Sequence, residues 1–155
     1  MLEKHRTTRR TMRVWQPGSR ALSSRATWHR LWAVANALGT RLVRAIAEQD
    51  ESALAECFSP DAELRALTPQ GLRERAGASE AASLISRWFG DSTELQLLDS
   101  RSEEVADRVH VSYRFAGVEE GEPYLVEQQL YCTVADGKVT RADLLCSGFR
   151  PRIGR

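Results

Sequence analysis

Val109-His110-Val111-Ser112-Tyr113-Arg114-Phe115 alternates apolar and polar side chains without a break. Strict alternation is the period of a strand with one covered face, because successive side chains point to opposite sides of a sheet. Val109, Val111, Tyr113 and Phe115 are therefore expected on a core, with His110, Ser112 and Arg114 facing away from it. From Thr93 onward this period governs the chain, and Asp107-Arg108, Glu119-Glu120-Gly121 and Asp136-Gly137 divide it into four strands. Asp136-Gly137 is the strongest hairpin signal, since both residues tolerate the positive φ of a two-residue turn. Four consecutive strands with short turns read as an antiparallel meander.

Upstream the period lengthens. Leu31, Ala35, Leu38, Leu42 and Ile46 fall on one face of a helix expected over 31–49. Asp50 can cap a short second helix whose buried side holds Leu54, Cys57 and Phe58, and Ser59-Pro60-Asp61 is expected to stop it. Ala62 to Leu67 and Leu72 to Arg75 read as short strands around the Thr68-Pro69-Gln70-Gly71 turn. Ala81, Leu84, Ile85, Trp88 and Phe89 make a third helix, with Gly90 expected to end it in the left-handed conformation. The class is α+β: three helices with a small hairpin among them, then the meander.

The 155 residues suit one domain, and 42% hydrophobic with 28% charged residues is ordinary for a globular chain. No apolar run approaches the roughly 20 residues that cross a bilayer. The net charge of +1 conceals an asymmetry: residues 1–35 hold eight basic residues against Glu3 alone, while the remainder is acidic. Residues 1–30 are expected to form a basic, disordered extension, with a polyanion-binding arm and a targeting leader as alternatives. Cys57, Cys132 and Cys146 show no metal-binding spacing and form an odd set, which points to a reduced, cytoplasmic protein.

A two-residue turn at Asp136-Gly137 would place Leu130 opposite Asp143, Cys132 opposite Arg141 and Cys146 opposite Glu127. Cys132 and Cys146 would then lie about 17 Å apart along the ladder, too far for a disulfide. In this register Val126, Gln128, Leu130 and Cys132 share the favoured inner face with Arg141 and Asp143. A bulge near Thr140 would swap the last strand.

The element order, Phe58-Ser59-Pro60-Asp61-Ala62 after two helices, and Asp136-Gly137-Lys138-Val139 opening the last strand resemble the nuclear transport factor 2-like (SnoaL-like) superfamily over residues 31–150. The resemblance implies a cone-shaped fold with an apolar pocket and a common tendency to form homodimers. It embraces isomerases, polyketide cyclases, epoxide hydrolases, dehydratases and non-catalytic scaffolds. None of the catalytic signatures transfers: His110 is the only histidine of the domain, residues 31–49 contain no tyrosine, and no local motif ties an Asp, Arg, Asp set together.

The residues that could carry chemistry are few. Asp143, if inward, would be a general acid or base, because burial disfavours its charged form. Tyr113 could hydrogen-bond an oxyanion or fill the core. Trp88, Leu130 and Gln128 would line a pocket for an apolar small molecule, and Arg65, with Arg73 and Arg75, either forms an anion-recognising rim or pairs with Glu63 and Glu74. His110 is expected to face solvent or a second copy. No metal or cofactor is implied by any motif. Two functions remain open: a pocket that binds a small molecule, with or without acid/base isomerase, cyclase or hydrolase chemistry, and a non-catalytic dimeric module. An ionisable group lining an open cavity would favour the first; an interior filled by Trp88, Tyr113 and Leu130 would favour the second.

Overall fold

The computed structural model describes residues 25–152, with side-chain surroundings from residue 33 onward. Most of the basic extension, and with it the polyanion-binding and targeting alternatives, lies outside the described residues. Helix α1 (Arg25–Ala47) buries Ala35, Leu38, Leu42 and Ile46, the stripe their spacing predicts. It begins before Leu31, so the boundary expected at residue 31 falls inside a helix. Gln49 follows it with φ of 53°, and Asp50 caps α2 (Glu51–Glu56) by accepting the Ala53 N–H at 2.9 Å.

Strands β1 (Phe58–Thr68) and β2 (Gly71–Ala76) form the small hairpin. The expected stop at Ser59-Pro60-Asp61 is instead part of β1. Pro60 is tolerated there because the pairing register slips between Phe58 and Glu63, where a missing N–H removes no regular ladder bond. Helix α3 (Ala78–Arg87) buries Ala81, Ala82, Leu84 and Ile85. It closes at Trp88 in the right-handed conformation, and Gly90 does not adopt the positive φ expected of it.

The meander is β3 (Thr93–Val105), β4 (Arg108–Glu119), β5 (Glu122–Ala135) and β6 (Lys138–Cys146), and the two-residue strand β7 (Arg150–Pro151) pairs with β5. Hairpin and meander are one mixed sheet of order β2-β1-β6-β5-β4-β3, joined by a parallel β1–β6 contact. Its inner face packs on the helices around Phe58, Phe89, Phe115 and Leu130, with Phe115 edge-on to Phe89 at 5.5 Å and to Tyr113 at 5.6 Å. Asp136 and Gly137 have φ of 52° and 73°, as the hairpin reading requires. No described helix is long and apolar enough to cross a membrane.

Candidate functional site

The inner face of β4, β5 and β6 is where the candidate residues were expected to meet, and one register shift decides which of them do. Val134 pairs with Val139 as the two-residue turn demands, but Thr140 is then passed over and Thr133 faces Arg141. Beyond this bulge Leu130 opposes Leu144, Tyr131 opposes Asp143 and Gln128 opposes Cys146. A shift of one residue exchanges the two faces of a strand. Ala142 and Leu144 therefore point inward, and the expectation that Asp143 faces the interior is corrected: it lies on the outer face. There its carboxylate accepts from Arg108 Nη2 at 2.8 Å and lies 3.7 Å from Arg141 Nε. All three cysteines are free, Cys132 and Cys146 unbridged as the ladder geometry predicted, with Cys146 opposite Gln128 rather than Glu127.

Tyr113 and Gln128 do point inward and are buried. The phenol O–H donates to Gln128 Oε1 at 2.7 Å, and Gln128 Nε2 donates to Cys146 Sγ at 3.3 Å. Each strong donor thus meets an acceptor, which is what a polar group needs in an apolar interior. Burial pushes the Tyr113 phenol well above its ordinary range, an effect to which neighbouring Cys146 and Cys132 add. Burial likewise pushes the Cys132 thiol up to about 12, against a smaller lowering by Arg108. At neutral pH these inward-facing groups are all uncharged. Leu130 is sealed against Leu144, whereas Trp88, at the end of α3, is only half-buried against the core.

The arginine rim is not assembled. Arg65 is on the outer face and donates to Glu74 at 3.1 Å, while Arg73 and Arg75 sit opposite Ala66 and Leu64 and so leave β2 on the other side. Arg75 lies 4.0 Å from Glu80 of α3. His110 is on the outer face, stacked on Tyr131 at 4.6 Å with Nδ1 3.3 Å from Glu103. Among the described residues its buried Nε2 has no partner, which the neutral ring tolerates when Nδ1–H donates to Glu103 and Nε2 keeps only a lone pair.

Sequence reasoning did not join Tyr113 to Gln128. The available signal was Gln128 itself, a polar residue within the otherwise apolar series Val126, Leu130 and Cys132. It also missed the buried contact of Ser92 Oγ with Tyr124 Oη at 2.6 Å, which straps the start of β3 to β5.

A sequence profile of the SnoaL-like domain matches residues 40–142. The chain belongs to the SnoaL-like domain family. Among solved structures it is similar to a proposed polyketide cyclase from Xanthomonas campestris, with 23% identity and a TM-score of 0.60 over 73% of this chain and 90% of that one. A proposed isomerase from Bacillus subtilis gives 16% identity and a TM-score of 0.63 over 74% and 87%. A protein of ketosteroid isomerase-like fold from Catenulispora acidiphila, solved with trimethylamine, gives 15% and 0.59 over 69% and 82%. At these identities the likeness establishes the fold alone. No curated protein sequence matches significantly.

Proposed function

We propose that this SnoaL-like domain is a non-catalytic module that pairs with a second copy through the outer face of its sheet. The observation that carries the reading is the state of the inner face: Tyr113 and Leu130 fill it, and the carboxylate proposed for acid/base work is outside. The outer face suits burial against another copy because its charges are already matched within the chain. Arg65 meets Glu74, Arg108 and Arg141 meet Asp143, and Arg114 meets Glu127 at 2.9 Å. Next to them Leu72, Leu67 and Leu145 are direct neighbours across three strands and stand 48%, 52% and 48% exposed. A matched face can be covered without stranding a charge, and the leucines supply apolar area. Sedimentation velocity should show a dimer at micromolar concentration, shifted toward monomer by Leu67→Glu. A wild-type chain that stays monomeric at about 100 μM would end this reading.

The Tyr113–Gln128 pair favours a second reading, a domain that takes up a mostly apolar small molecule and touches it with these two groups. Family neighbours proposed as cyclase and isomerase agree with it. Saturable NMR shifts at Tyr113, Gln128 and Leu130 during titration with a library of small apolar molecules would support it. Shifts confined to the outer surface would remove it.

A further inference from the structure

Helix α1 and strand β3 meet through small polar side chains. Gly39 comes so close to β3 that a Cβ there would collide with the Ser102 hydroxyl. This approach lets Ser102 Oγ donate to the Ala35 carbonyl at 2.8 Å, a second bond on a helical carbonyl. Beside the contact lies a slot of about 150 Å³, walled by Asn36, Thr40, Ser100 and Ser102, with the buried Val43 and Val111 as its floor. A slot of this size admits a small molecule of a few heavy atoms.

The hydrogen-bond inventory sets the chemistry of such a molecule. A serine hydroxyl has one proton, and that of Ser102 is committed to Ala35, so toward the slot Ser102 offers lone pairs only. Thr40, Ser100 and the Asn36 amide can each either donate or accept and do not discriminate. Arg101 also borders the slot, but Glu103 answers its charge at 2.8 Å, so the slot offers an unpaired charge to neither a cation nor an anion. We propose that the α1–β3 slot binds a small neutral molecule that donates a hydroxyl or amide hydrogen to Ser102 and rests a short apolar group on Val43 and Val111. This site lies apart from the outer-face interface, and its occupancy does not depend on whether the chain dimerises.

The test is an NMR titration of the full chain with 1-propanol, and with acetone and propylammonium as probes of similar size. Propanol should shift Gly39, Ser102 and Val111 saturably and bind about fivefold more tightly than acetone, the ratio one hydrogen bond supplies. Propylammonium should bind less well than propanol. Ser102→Ala should erase the preference for propanol over acetone. Because that change also removes the bond to Ala35, Val43→Leu serves as a second variant, narrowing the floor without touching a polar group, and should abolish binding of both neutral probes. Acetone binding as tightly as propanol, shifts that do not saturate, or shifts unaffected by Val43→Leu would overturn the proposal.

Discussion

The two faces of β4, β5 and β6 come from the same strands and handle polarity in opposite ways. On the inner face, Tyr113, Gln128 and Cys132 are buried and uncharged, and the phenol and amide are satisfied by one another and by Cys146. On the outer face, Glu74, Arg65, Asp143, Tyr131, His110 and Glu103 follow one another across six strands, and their charges are matched in the presence of water. The difference teaches where each kind of substitution should hurt. A charge introduced inside has no water and no counter-charge; a charge removed outside leaves its partners still hydrated.

The largest effect is expected from Gln128→Glu. The new carboxyl would be fully desolvated, so its folded-state pKa should rise above the unperturbed value of about 4.3. Both states are protonated below about pH 4; above it the unfolded chain ionises first, so stability declines as pH rises from about 4.3 toward the raised folded-state value. Urea unfolding should place the variant near wild type at pH 4 and at least ~3 kcal/mol below it at pH 7. A loss under ~1 kcal/mol at pH 7 would mean that water reaches the inner face, and the contrast between faces would fail.

A smaller effect follows from Cys132, whose thiol stays protonated in the folded chain to about pH 12 against an ordinary value of 9.0. The unfolded chain ionises first, so the stability this group contributes is complete below about pH 9 and declines as pH rises toward the folded value. The slope approaches ~1.4 kcal/mol per pH unit, or ~2 kcal/mol by pH 10.5. Cys132→Ala should lower stability at pH 7 by removing a buried thiol yet show a flatter alkaline decline. Parallel alkaline profiles for the two chains would place the loss elsewhere.

What the sequence disclosed depends on whether the signal was periodic or local. The stripe of α1 and the alternation of β4 were legible because burial repeats along many residues and each position supports the others. The Asp136-Gly137 turn was legible because positive φ at two adjacent residues restricts the choice of side chains. The bulge at Thr140 could be named only as an alternative to the regular register, and the structure takes that alternative; threonine suits a regular strand equally well, so nothing local chooses between the two. The parallel β1–β6 contact was likewise hidden, since it joins residues nearly eighty positions apart and leaves no local trace. Asp143 was therefore misplaced by one residue of register, while Tyr113, ahead of the bulge, was placed correctly on the covered face.

Asp143→Asn gives the smallest expected change and the sharpest comparison with Gln128→Glu, because the substitutions are mirror images: one removes a charge outside, the other adds one inside. The Asp143 side chain is 35% exposed and that of Arg108 30%, so both ions keep part of their hydration. Its loss leaves Arg108 beside a neutral amide that can still accept a hydrogen bond, and Arg141 retains Glu63 at 3.6 Å. Partly exposed pairs of this kind are worth ~1 kcal/mol or less. Measured in the Leu67→Glu background, where the outer face is not covered by a second copy, the urea midpoint of the variant should therefore correspond to a loss below ~1 kcal/mol in low salt, shrinking further in 0.5 M NaCl, where the Debye length is only about 4 Å. A loss above ~2 kcal/mol that salt does not reduce would show that the outer row is a desolvated network, and the two faces would then differ in whether they carry charge rather than in their access to water.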